Sequence, residues 1–292
     1  MSYKESTRSD WSIAQNVMSL NSDRSWEPQT SFSKGMGGIN QVQEMRRAKA
    51  NKRVFALGNG ESRKNIDLTS LYEYGIIYGC NALYRDFRPD ALVVVDPVMK
   101  EEIWETDYLL ENKAYFKDWG MDEPQGAGQR RRLLDKDDWG FRATPAYHYL
   151  KLGGNKTPDK KVINSNAVVR KKFPNDTHRI GYASGPASVL LACIEEQPDE
   201  LYLIGHDLFG SGDKFNNVYK DTQNYEGSLS PATPSDNWIN QLKQCFNDFG
   251  PATDHLIEFY HVNPLKEEIV DWNLLVNIHS ITLDEMWKRL NR

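Results

Sequence analysis

Cysteine is scarce: Cys80, Cys193 and Cys245 are the only three in 292 residues. They lie far apart and never in CxxC spacing, which excludes a disulfide framework and a cysteine-based zinc site. All three lie in apolar segments and read as small core residues, as expected in a reducing, cytoplasmic setting. Long apolar runs are missing too. No stretch approaches the about 20 residues that span a bilayer, and the polar residues 1–30 hold no signal-peptide core. There is no basic excess: 36 Lys and Arg against 41 Asp and Glu leave a net charge of -5. A general nucleic-acid binder needs clustered cations to neutralise phosphates. Only Gln129-Arg130-Arg131-Arg132 departs from this, as a solvated face or as a patch for a phosphate or acidic acceptor. Internal repeats and low-complexity tracts are also lacking.

What is present is a strand–helix rhythm. Residues 1–36 are rich in Ser, Asn, Asp and Gln, with Trp11 and Trp26 scattered among them. They read as an extended arm that stays mobile or packs through its Trp residues on a second copy or a partner protein. A short polar helix, Gln41–Ala50, leads into residues 51–292, which read as one Rossmann-like domain. Strands are expected at 53–57, 75–79, 91–95, 113–116, 200–204 and 256–260, with order resuming at 162–164. Helices are expected at 66–72, 98–108, 184–196, 236–249 and 283–290. Residues 117–160 and 211–232 read as long insertions. The alternation predicts an α/β fold: a mostly parallel sheet with helices on both faces.

The first strand, Val54-Phe55-Ala56-Leu57, runs into Gly58-Asn59-Gly60-Glu61-Ser62. In a parallel sheet such a glycine loop lies at the carboxyl edge, where α/β proteins bind nucleotides. Glycine lets backbone N–H groups approach an anion, and a following helix start adds its positive dipole end. Other strands also end in polar residues: Asn81, Asp96, His206 and Asp207. Each alone is an ordinary turn residue; in succession at strand ends they predict one crevice. His206 has an intrinsic pKa of about 6.5, suited to a general base, and Asp236 is the second candidate. Asp96 and Asp207 could share a Mg²⁺ with ligand phosphates; a Pro after Asp96 equally suits a plain turn.

Three segments carry a resemblance: Gly58-Asn59-Gly60-Glu61-Ser62, Tyr78-Gly79-Cys80-Asn81, and Ser184-Gly185-Pro186-Ala187 leading to Leu203-Ile204-Gly205-His206-Asp207-Leu208. They resemble the bacterial sialyltransferases of glycosyltransferase family 42. The same segments, with Arg88-Pro89-Asp90 through Asp96-Pro97, resemble the DUF115 group, which includes archaeal 6-hydroxymethylpterin diphosphokinases. The likeness covers residues 53–100 and 180–210. It implies that Gly58, Asn59, Gly60 and Ser62 cradle ribose and phosphate. It implies that Asn81, Ser184 and Gly185 hold base and phosphate, and that Tyr219 or Tyr225 steadies the leaving phosphate. The sialyltransferase likeness implies a nucleotide-sugar donor and no required cofactor; the diphosphokinase likeness implies ATP and Mg²⁺. The chain departs from both patterns. Glu61 and Arg63 stand where these groups favour Pro and Leu, and Ser235-Asp236-Asn237-Trp238 lacks the loop His that serves the sialyltransferases as base. The expectation is therefore a nucleotide-sugar transferase with an acceptor the sequence does not name. The alternatives are diphosphate transfer, or a binding or assembly protein on a transferase-like core.

Overall fold

The computed structural model describes residues 52–117, 161–208, 214–264 and 268–291. The arm, its lead-in helix, the Arg130–Arg132 cluster and nearly all of the first insertion lie outside them. So do residues 209–213 of the stretch after the late strand.

The inner strands are mostly apolar runs because they are covered on both sides, as parallel strands are. In β1 (Arg53–Leu57), Phe55 and Leu57 join one core cluster while Val54 and Ala56 join the other. The same alternation runs through β2 (Ile76–Cys80), β3 (Ala91–Val94) and β4 (Ala114–Phe116). Then come β5 (Val162–Asn164), β6 (Glu200–Ile204), β7 (Glu258–Val262) and β8 (Ile278–Ile281). All eight pair in parallel in the order β5-β4-β3-β2-β1-β6-β7-β8. The chain steps outward from β1 to β5, then returns to lay β6 on the other side of β1. The order therefore reverses between β1 and β6.

Helices cover both faces of this α/β, Rossmann-like sheet. On one face lie α1 (Pro97–Trp104), α2 (Tyr108–Glu111) and the last helix, α6 (Leu283–Leu290), each giving side chains to the first cluster. A capping box between Thr282 and Glu285 starts α6. On the other face lie α3 (Ser165–Lys172), α4 (Ser184–Glu196) and α5 (Asp236–Asp248). α4 is the return crossover, and it lies over β1, β2 and β3. Its start therefore comes to the carboxyl ends of those strands. It ends where Gln197 turns left-handed at φ 46°.

Differences from the sequence reading are local. The sheet is wholly parallel. The helix expected at 66–72 is a 3-10 stretch, Leu68–Glu73. The helix expected at 98–108 is broken into α1 and α2, and β7 begins two residues later than expected. Both β8 and α3 were missed. β8 is a short edge strand with no apolar run, and α3 is mostly polar, its start set by the Asn164 side chain accepting from the Asn166 and Ala167 N–H groups. The three cysteines are free and buried, as expected. Among the described residues no helix is long and apolar enough to cross a membrane.

Candidate functional site

At the reversal point the loops after β1 and β6 are zipped together. Gly58 N–H donates to the Ile204 carbonyl and Gly60 N–H to the Gly205 carbonyl, each at 2.8 Å. A Cβ on Gly58 would run into the Gly205 carbonyl, and one on Gly60 into the Asp207 carboxylate. Gly205 itself is left-handed, with φ +71°. These glycines are needed for the close approach of two loops. The start of the Glu61–Arg63 turn, expected to cradle a phosphate, carries the chain's own anion. The Asp207 carboxylate accepts from Ser62 N–H at 2.9 Å on one oxygen and from the Ser62 hydroxyl on the other.

A second cluster forms where β2, β3 and α4 meet. Asn81, left-handed at φ 47°, donates its amide to Asp96 Oδ2. Its Oδ1 accepts from the Ser184 hydroxyl at 2.8 Å, and that hydroxyl oxygen lies 3.4 Å from Asp96 Oδ2. Val95 N–H donates to Ser184 Oγ at 3.3 Å, fixing the start of α4 against β3. Gly185 follows, and a Cβ there would stand 3.5 Å from the His206 ring. The start of α4 thus lies close to the end of β6, next to the first cluster.

Residues 214–231 close over the β1 loop. Val218 N–H donates to the Asn59 carbonyl, and Glu61 N–H to Asn216 Oδ1, both at 2.8 Å. Lys220 and Lys64 each bind the Glu61 carboxylate at 3.0 Å and hold its pKa below the usual carboxylate range. Arg63 is buried and donates to the Tyr219 hydroxyl at 2.8 Å. That hydroxyl in turn donates to Asp86. Burial pushes Asp86 up, while the Arg63 charge and the Tyr219 bond oppose the shift. Arg85 lies over the Tyr219 and Tyr225 rings and donates to Thr222 and Gln223. Glu61 and Arg63 are thus the anchors of this cover. Sequence reading missed Arg63, Arg85 and Asp86 as a group. A lone Arg and an Arg-Asp pair carry no local signal.

Within this frame Tyr219 is a buried tie, its phenol held protonated by burial. Tyr225 is half-buried and its hydroxyl stands 3.5 Å from the Asn59 amide, which also donates to the Cys80 carbonyl at 3.2 Å. Asn59 Oδ1 is buried without a hydrogen-bond partner.

His206 ends β6 as expected, but only 6% of it is exposed. Burial first, and the neighbouring His261 second, push its pKa down to about 3. Its affinity for a proton near neutral pH is therefore low, which removes the property that singled it out as a base. Its Nε2 is buried without a partner, while its carbonyl meets the His261 ring at 2.9 Å. Asp236 lies exposed in the first turn of α5, where it complements the helix dipole. It makes no hydrogen bond or ion pair with the residues above. Asp207 does not fit a Mg²⁺ shared with Asp96: both its oxygens take Ser62 donors, and Asp96 Oδ2 takes the Asn81 amide, which leaves only Asp96 Oδ1 open. Among the described residues no three His, Cys, Asp or Glu side chains gather as a metal site. No protein-family model matches the chain, and no curated protein matches its sequence.

Proposed function

We propose that this chain is a nucleotide-dependent transferase whose donor is a nucleotide-sugar. One observation carries the reading. The strand order reverses between β1 and β6, and the polar strand-end residues Asn59, Asn81 and Asp96 gather at that edge with Ser184 from the start of α4. Ligands of open α/β sheets bind in the crevice outside such a reversal. The unpartnered Asn59 Oδ1 and the first turn of α4, which has no side-chain cap, offer polar groups to a nucleotide. The sugar and the transfer step come from the family resemblance. In that step an acceptor hydroxyl loses its proton to a base and attacks the anomeric carbon. The bond from that carbon to the phosphate oxygen breaks, and the nucleotide leaves with the electron pair. Burial lowers the His206 pKa to about 3 and leaves it a weak proton acceptor, so the base role passes to Asp236.

The test is thermal unfolding of the full chain with CMP, UDP, GDP and ATP, each with and without Mg²⁺. One nucleotide is expected to stabilise the fold, by about 2.7 kcal/mol at 100 times its dissociation constant. Asn81→Ala should remove most of that shift. No shift with any of them at millimolar concentration sinks the reading. The burial of His206 favours a second reading, a nucleotide-binding protein without transfer. Nucleotide binding with no nucleotide released from any sugar donor would select it.

A further inference from the structure

We propose that Asp96 is the specificity-determining residue of the crevice, its carboxylate accepting hydrogen bonds from the ribose diol of the bound nucleotide. The inference rests on the nucleotide reading above.

Asp96 stands at the N-cap position of α1, where an Asp side chain ordinarily accepts from its own helix's first N–H groups. Here it makes no such cap. The carboxylate is turned toward Asn81 and Ser184 instead, and both contact the same oxygen, Oδ2. Oδ1 makes no hydrogen bond to any other described residue, and Asp96 is exposed. The carboxylate is thus oriented by the Asn81 amide, with the Ser184 hydroxyl oxygen 3.4 Å from the same carboxylate oxygen, while the other oxygen stays open.

The orientation also uses a left-handed Asn81. That conformation is uncommon outside glycine, and such backbone clusters at functional sites. A second unmatched polar group lies beside the same helix start. His206 Nε2 is buried without a partner, and a Cβ added to Gly185 would stand 3.5 Å from the His206 ring.

The charge decides the ligand chemistry. A phosphate brought to Asp96 would meet like charge, so the group facing it is a hydrogen-bond donor. A nucleotide's ribose offers two adjacent hydroxyls, one bond network away from its phosphate. A carboxylate with an open oxygen accepts from such a diol through a charge-assisted bond.

The experiment is calorimetric titration of the full chain with CMP, UMP, GMP and AMP and with their 2′,3′-dideoxy counterparts. For the recognised base, the ribose form is expected to bind about 10-fold or more tighter, the scale of a hydrogen bond to a charged group. Asp96→Asn should shrink that ratio to about threefold or less while leaving dideoxy affinity within about threefold. Equal binding of both forms by the unsubstituted chain overturns the proposal while the nucleotide reading stands, and needs no variant to fold. A variant that weakens both forms equally overturns it as well. No binding of any nucleotide sinks the nucleotide reading and the Asp96 role with it.

Discussion

Replacing Asp207 with alanine tests whether this carboxylate stands in for a bound anion. Asp207 is half-buried, and its two oxygens satisfy the N–H and the hydroxyl of Ser62. Hydrogen bonds to charged groups contribute about 1.5–3 kcal/mol each. Half exposure puts the expected loss near the lower bound for the pair, about 3 kcal/mol. For a chain of this size that is a fall of about 6–10 °C in Tm. The substitution also leaves an anion-sized gap in front of a backbone N–H and a hydroxyl, beside Gly60. Sulfate should then bind the variant: with a Kd of about 10 mM, 100 mM sulfate returns about 1.4 kcal/mol. Sulfate also stabilises proteins by exclusion from their surfaces, so the quantity that decides is its effect on Asp207→Ala minus its effect on the unsubstituted chain. The assay is urea unfolding of both proteins in sulfate and in chloride of matched ionic strength. A loss below about 0.5 kcal/mol, or equal sulfate effects on both proteins, refutes the reasoning.

Two further outcomes follow from the same edge. Gly205→Ala forces a left-handed alanine, at about 1–2 kcal/mol, and brings a Cβ to 2.8 Å from the Gly58 carbonyl oxygen. It should cost more than about 2 kcal/mol by denaturant midpoint, and an unchanged midpoint would show that the two loops are free to part. His206 has a folded pKa of about 3 against about 6.5 unfolded. The unfolded chain therefore takes up its proton first as pH falls. Stability from this source is intact above about pH 6.5 and is lost progressively toward pH 3, at about 1.4 kcal/mol per unit. His206→Gln should abolish about 1.6 kcal/mol of the loss between pH 6.5 and 5. Equal urea midpoint shifts in both proteins over that interval would refute the burial argument.

The sequence by itself determined the local parts. Apolar runs such as Leu201–Ile204 read as strands because parallel strands are buried on both faces. Gly58 and Gly60 marked the loop because only glycine allows so close a backbone approach. The strand-end residues Asn59, Asn81, Asp96, His206 and Asp207 read as one group because parallel strands present their carboxyl ends together. Tertiary structure decided everything that depends on distant partners. Ser62 meets Asp207 across 145 residues, and Tyr219 joins Arg63 across 156 and Asp86 across 133. No local pattern carries such pairs. They exist because the return crossover lays β6 against β1 and brings the following loop over the β1 turn. His206 shows the same division. Its place at a strand end was legible in the sequence. Its charge state was not, because ionisation depends on how completely distant elements exclude water and on the charge of neighbours such as His261, and both lower the His206 pKa here.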